Sequence, residues 1–231
     1  MNYWELNYNT YNSLAEDYFE RLNKYDNYYR IVGEKICEMI FEYLYNKSPK
    51  NDFEIINVLE LGCGPGAILQ ALKSYRNVSS YAIDISEKMA YFARRSNPDT
   101  KVLVKNVLDV YKLNNYFHTN IDGKLDIIIM AAFIHLFPYE DAQRLLIKVK
   151  TWLKPSGIIY IDTTKEKEFR DGKVVIKKSF NRDEMLHFRT DWTSESFNVF
   201  LKECGYDIVK QIEHRANNTG RIWLRTIIKP K

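Results

Sequence analysis

A chain of 231 residues with 45% hydrophobic residues suits one domain with an appendage and can bury a sizeable core. The net charge of +4 is divided: residues 1–60 hold 6 Lys/Arg against 11 Asp/Glu and the remainder 28 against 19, short of the strong basic patch expected of a dedicated nucleic-acid binder. Cys37, Cys63 and Cys204 are odd in number and widely spaced, so the sequence suggests neither a disulfide framework nor a metal site, and a reducing compartment is expected. No basic-then-apolar signal opens the chain, and its least polar stretch, Leu125 to Phe137, is too short to cross a bilayer. A cytoplasmic, non-membrane protein is the expectation.

Part of the excess of tyrosine, 17 residues in all, falls in the first 45 positions. From Tyr11 the spacing of Leu14, Tyr18 and Leu22 predicts a helix, and Tyr28 through Tyr43 predicts a second, ending before Asn46-Lys47-Ser48-Pro49. Next, Val58-Leu59-Glu60-Leu61 reads as a buried strand that turns through Gly62-Cys63-Gly64-Pro65-Gly66-Ala67 into a short helix from Ile68 to Ser74. The spacing Gly62, Gly64, Ala67 also satisfies the dinucleotide-binding pattern. Ser80 to Asp84 is the second strand, and Asp84 at its end can accept both hydroxyl protons of a ribose, whether of NAD or of another adenosine cofactor. Ser86 is placed to cap the following helix. Val102 to Val104 reads as the third strand and Leu125 to Met130 as a fully buried fourth, preceded by the turn signal Asp122-Gly123. Glu140 to Leu153 is predicted as an amphipathic helix with its stop at Leu153-Lys154-Pro155-Ser156-Gly157, and Ile158 to Asp162 as the fifth strand. From Thr163 to Asp191 the βα rhythm lapses. Phe169 to Val175 reads as a hairpin turning at Asp171-Gly172, inside a stretch, 165–190, with eight Lys/Arg against five Asp/Glu. Arg189, Asp191 and Trp192 stand out there, with a solvated charged face as the expectation for each. Thr193 begins a helix that Gly205 ends, and Tyr206 to Ile212 and Arg221 to Ile228 form two strands around Asn217-Asn218-Thr219-Gly220.

Glu60 before Gly62-Cys63-Gly64-Pro65-Gly66 resembles motif I of the class I S-adenosylmethionine-dependent methyltransferases, and Asp84-Ile85-Ser86 through Met89, the Asp126 strand and Leu153-Lys154-Pro155 resemble later motifs of that family. The resemblance covers nearly the whole chain. It implies a Rossmann-like, doubly wound α/β sheet of seven strands in order 3-2-1-4-5-7-6 with strand 7 antiparallel. It also implies an N-terminal helical lid at 1–50, a core at 51–231 and an acceptor-cap insertion at 163–191. The cofactor implied is S-adenosylmethionine, leaving as S-adenosylhomocysteine. The residues the family would place on it are Glu60, Gly62, Cys63, Gly64, Gly66, Asp84, Ile85, Met89, Asn106, Val107, Ala131 and Tyr18, with Asn106 standing where the family often has Asp and Asp109 as its substitute. Tyr11-Asn12-Ser13-Leu14-Ala15 to Tyr18 resembles the lid segment of small-molecule members, making Tyr11 a site candidate and Tyr3 and Trp4 further lid candidates. His135, the sole histidine where the fourth strand should emerge, is the candidate base or acceptor-orienting group, with Tyr11 next and a hydrogen-bonded structural role as the alternative for His135. The resemblance implies methylation of N or O on a small molecule by a monomer or homodimer. The basic insertion and Arg221-Ile222-Trp223, which resembles the last strand of a tRNA wobble-uridine methyltransferase, admit an RNA-modifying enzyme, and a non-catalytic S-adenosylmethionine-binding regulator is the third reading.

Overall fold

The computed structural model describes residues 2–23, 28–47, 54–109, 113, 124–178, 184–216 and 219–231. Nine strands are described, and seven form one sheet in the order β3-β2-β1-β4-β5-β9-β8: β1 (Ile56–Leu61), β2 (Val78–Asp84), β3 (Lys101–Val104), β4 (Leu125–Met130), β5 (Leu153–Thr164), β8 (Tyr206–Arg215) and β9 (Ile222–Pro230). β9 runs antiparallel to both β5 and β8. With the separate pair β6 (Arg170–Lys178) and β7 (Glu184–Asp191) set aside, this is the expected seven-strand order. The signals at Asp122-Gly123 and Asn217-Asn218 lie outside the described residues.

The chain divides into two compact units, residues 8–106 in one and residues 1–7 with 107–231 in the other. In the first, β1 is buried along its whole length, Asn57 and Glu60 included, as befits a largely apolar parallel strand covered on both faces. It pairs in register with β2, Glu60 opposite Ala82. Helix α3 (Tyr28–Lys47) supplies Ile36, Cys37, Ile40 and Phe41 to the core and packs on α4 (Ala67–Leu72). Helix starts at Tyr3 rather than Tyr11, as α1 (Tyr3–Ser13) followed by α2 (Ala15–Asn23). Leu14 lies between them, yet its amide still donates to Thr10 O and its carbonyl still accepts from Tyr18, so the two helices are nearly continuous. α2 packs on α3 and on α5 (Glu87–Ser96), burying Ala15 against Met89 and Phe92.

In the second unit β4 and β5 are buried, and α6 (Tyr139–Val149) contributes Leu145 and Leu146. α6 tightens into a short 3-10 turn at Lys150–Trp152, and β5 begins at Leu153, within the segment read above as a stop. Pairing runs Leu125↔Leu153 and resumes at Ile127↔Ile158, so Lys154 to Gly157 bulge out of the ladder and regular pairing does start at Ile158. α7 (Ser194–Glu203) opens on a capping box between Thr193 and Ser196 and packs on β8.

Asp171-Gly172 is not the hairpin turn. It lies within β6, where the register shifts between Arg170 and Lys173; Gly172 has φ +77, and a Cβ there would stand 2.7 Å from the Phe188 ring. The D-G pair thus makes a bulge that admits an aromatic ring. The expectation of a solvated charged face fails with it, because Arg189, Asp191 and Trp192 are all buried. Trp192 is enclosed by the rings of Phe169, Phe197 and Phe200, and Arg189 and Asp191 are withdrawn from water as partners of one another.

Candidate active site

In the unit of residues 8–106 the loop after β1 is held by its neighbours. The amides of Gly62 and Cys63 donate to Ile83 O at the end of β2 (2.8 and 3.3 Å). Gly64 N donates to Asp84 Oδ2 and Ser86 N to Asp84 Oδ1, each at 2.8 Å. Asp84 is buried, and burial raises its pKa to about 6 against the lowering effect of these amides. The Ile85 amide also acts on this carboxylate, which keeps lone-pair capacity for a ligand hydroxyl. At Gly64 an added Cβ would meet nothing within 4 Å, so the backbone there is open to close approach. Gly66, at φ +91, has no such room: a Cβ would stand 2.4 Å from Asn97 Nδ2, which donates to Gly66 O and Ala93 O. Glu60 is buried, and burial, with the Asp84 charge second, pushes its carboxyl well above the usual range; its Oε2 has no hydrogen-bond partner. Two ribose hydroxyls and an ammonium group are the donors this set would satisfy, so the residues fit S-adenosylmethionine. They include Asn97, whose clamp on the loop no motif signals.

Ser86 caps α5, accepting from Met89 N at 3.1 Å, and its hydroxyl donates to Asn12 Oδ1, which also accepts from Lys88 N. Asn12 thereby ties α1 to the segment after Asp84. Met89 itself is buried with Ala15 and Phe92, and Tyr11, Tyr18 and Phe19 pack on that cluster; Tyr18 also stacks on Tyr29. Ile85 and Asn106 are half-buried and Cys63 is buried.

In the other unit the chain leaves β4 through Ala131 and Ala132. Ala132 takes φ +50, a strained value for alanine, and its amide donates to Asp162 Oδ1 at 2.5 Å. Burial raises Asp162 to about 6, opposed by that amide, by Arg225 and by the Tyr160 hydroxyl. A 3-10 turn, Ile134–Leu136, then carries His135, buried, with Nδ1 at 3.3 Å from Thr163 Oγ1 and its ring edge-on to Trp223. Burial, then Arg189, Lys177, His187 and Arg221, hold the imidazole well below its ordinary pKa, so it is neutral at neutral pH. β7 packs on this turn. It brings His187, also buried and lowered to about 3 by burial and then by Lys177, Arg189 and Arg221. Arg189 contacts Thr164 Oγ1, Glu166 Oε1 at 3.1 Å and Asp191 Oδ1 at 3.0 Å, the last an ion pair without hydrogen-bond geometry. Asn7 joins the two elements: its Nδ2 donates to Leu136 O at 3.0 Å, and its Oδ1 accepts from Phe188 N at 2.8 Å. Tyr3 supports the same corner, its ring against Phe137 and Phe188 and its hydroxyl donating to Asp141. Val107 is buried and Ala131 half-buried.

Of the expected site residues, the first unit brings together Glu60, the glycine loop and Asp84, and puts Met89, Tyr11 and Tyr18 in one packed cluster beside α2. The second unit groups His135 with His187 and Arg189. His187 and Asn7 were not legible in sequence, since neither sits in a motif. Among the described residues no group of His, Cys, Asp and Glu is arranged to hold a metal.

The family model described as "Methyltransferase domain" matches residues 58–157. The fold of the chain is that of the class I S-adenosylmethionine-dependent methyltransferases. The DhpI–SAM–HEP complex is similar at 15% identity and TM-score 0.68, with 99% of this chain and 98% of that chain covered. Magnesium protoporphyrin IX methyltransferase (ChlM) from Synechocystis PCC 6803, with bound SAH, is similar at 13% identity and TM-score 0.68 over 100% of both chains. Burkholderia thailandensis 1,6-didemethyltoxoflavin-N1-methyltransferase is similar at 14% and TM-score 0.65, covering 99% and 89%. No curated protein sequence matches the chain.

Proposed function

We propose that this methyltransferase domain transfers a methyl group from S-adenosylmethionine to N or O of a small-molecule acceptor. The observation that carries the reading is Asp84, whose two oxygens hold Gly64 N and Ser86 N and so brace the glycine loop in the shape that presents Glu60 and the Gly64 backbone to a ligand. When bound, S-adenosylmethionine supplies an already activated methyl carbon, so the protein has to align, exclude water and take up one proton. In this reading Asp84 receives the ribose, Glu60 the ammonium, and Gly62, Cys63, Gly64 and Gly66 line the ligand with backbone. Ile85, Met89, Asn106, Val107, Ala131 and Tyr18 complete the cofactor contacts, and the helices of residues 1–50 serve as the lid. His135, neutral and anchored through Nδ1 by Thr163, orients the acceptor or takes its proton through the other ring nitrogen, with Tyr11 as the second candidate. Similarity to a toxoflavin-precursor and a porphyrin methyltransferase supports a small organic acceptor.

The test joins calorimetry with S-adenosylhomocysteine to a turnover screen over a metabolite pool and a tRNA pool. Binding of S-adenosylhomocysteine and not NAD is expected, with methyl transfer to the metabolite pool. His135→Ala should lower turnover about a hundredfold while leaving S-adenosylhomocysteine affinity unchanged. A His135→Ala enzyme with normal turnover would return this histidine to a structural role, and methylation of tRNA alone would replace the small-molecule acceptor.

A further inference from the structure

Asn12 stands where α1 gives way to α2, and apolar packing holds that stretch in place without it. Ala15 is buried against Met89 and Phe92, and the Phe19 ring stacks on Phe92 with centroids 4.3 Å apart. Asn12 adds a polar link of definite direction. Its Oδ1 accepts from Ser86 Oγ at 2.9 Å, across 74 residues of sequence, and from Lys88 N at 3.2 Å. Lys88 and Met89 are the second and third residues of α5, and amides there have no partner within the helix. Ser86 Oγ takes the Met89 amide and Asn12 Oδ1 takes that of Lys88, so the start of α5 is capped by two side chains, one of them from another helix.

Ser86 is fully buried, so its hydroxyl has to be satisfied inside the protein. The oxygen accepts from Met89 N and the proton goes to Asn12, while the Ser86 amide donates to Asp84 Oδ1 and Gly64 N donates to Asp84 Oδ2. One chain of hydrogen-bonded residues thus leads from Asn12 through Ser86 and Asp84 to the glycine loop, all of it within the unit of residues 8–106. We infer that Asn12 is a positioning residue for the cofactor: by accepting the Ser86 hydroxyl proton it fixes the turn after β2, and with it the direction in which the Asp84 carboxylate meets the ribose hydroxyls. The inference rests on the S-adenosylmethionine reading and adds a residue to which that reading gives no role. Asn12 itself touches no part of the ligand in this scheme. Its removal leaves the Ser86 proton without an acceptor at a buried atom, and the turn has to shift to supply another. Two hydrogen bonds to a ribose depend on a carboxylate plane that such a shift tilts. A residue that only capped α5 would cost stability when removed and leave ligand affinity as it was.

The experiment uses the full chain and calorimetry with two ligands, S-adenosylhomocysteine and its analogue lacking both ribose hydroxyls. The parent is compared with Asn12→Ala, Asn12→Leu and Asn12→Asp at about pH 8, where carboxylates are ionised. Asn12→Ala and Asn12→Leu should each weaken S-adenosylhomocysteine about tenfold, the scale of one hydrogen bond at a buried group, while the analogue binds parent and variants within about twofold of one another. Asn12→Asp keeps an acceptor oxygen and should stay within about threefold of the parent on both ligands. Unchanged S-adenosylhomocysteine affinity in the two acceptor-free variants, with or without a lower melting temperature, would overturn the inference and leave Asn12 a cap. So would an equal loss on both ligands, a failure of Asn12→Asp to restore binding, or failure of both acceptor-free variants to fold. A parent chain that does not bind S-adenosylhomocysteine, or that binds the analogue as tightly, refutes the cofactor reading itself and is seen before any variant is made.

Discussion

In the proposed function Asp84 does two jobs with one carboxylate, bracing the loop and receiving the ribose, and its titration connects them. Burial raises it to about 6 while two amides hold its ionised form in place. Hydroxyl donors of a ribose favour the ionised form, so ligand binding must lower this pKa. Below pH about 6 binding therefore releases a proton, and affinity for S-adenosylhomocysteine falls as pH drops further. Calorimetry in two buffers of different ionisation enthalpy reads that proton directly; a heat independent of buffer at pH 5.5 would remove Asp84 from the ribose. Asp84→Ala should weaken the ligand by about 1.5–3 kcal/mol, the usual range for hydrogen bonds to a charged group, and should loosen the Gly64 turn as well.

The turn carrying His135 is shaped by elements distant in sequence. β5 supplies Thr163 and Asp162, β7 packs alongside, and α1 sends in Asn7 to bridge Leu136 O and Phe188 N. Asn7→Ala would leave a partly buried carbonyl and a partly buried amide without this partner, costing about 1–3 kcal/mol for each group that water cannot reach. A raised KM for the acceptor with unchanged S-adenosylhomocysteine affinity is expected, because Asn7 touches only the unit that carries His135. Should both constants stay at their normal values while only the melting temperature falls, Asn7 is structural and no more. Gly172→Ala probes the hairpin from its other side, since the new Cβ would push on the Phe188 ring next to Asn7's partner amide.

Buried titratable groups of opposite tendency are distributed through the whole chain. Asp84 and Asp162 are raised, so they favour the fold most when protonated, and that contribution is lost as pH climbs from about 4 through about 6. His135 and His187 are lowered, so their contribution is present above pH about 6.5 and is lost as pH falls below it. The two sets oppose each other across the same window, which predicts a melting temperature nearly independent of pH between about 4.5 and 6. Replacing Asp84 and Asp162 together by Asn leaves the histidine loss unopposed. The variant's melting temperature should therefore fall more steeply with acid than that of the parent, and parallel curves would refute the assignment.

Local chemistry wrote most of the sheet into the sequence. The largely apolar runs of β1 and β4, Ser86 and Thr193 as caps, and Gly205 as a helix stop each act through neighbours a few residues away, so each was legible. The glycine loop and Asp84 were legible for the same reason, being a turn and a strand end with fixed backbone needs. What the tertiary structure decided is everything that depends on partners far along the chain. Asp171-Gly172 has the composition of a turn but becomes a bulge because Phe188, on the other strand, needs its space. Arg189 and Asp191 read as solvated charges until pairing and packing bury them together. Asn7 and Asn97 carry no motif at all, since a single asparagine acts wherever folding happens to bring two unpaired backbone groups within reach of its amide.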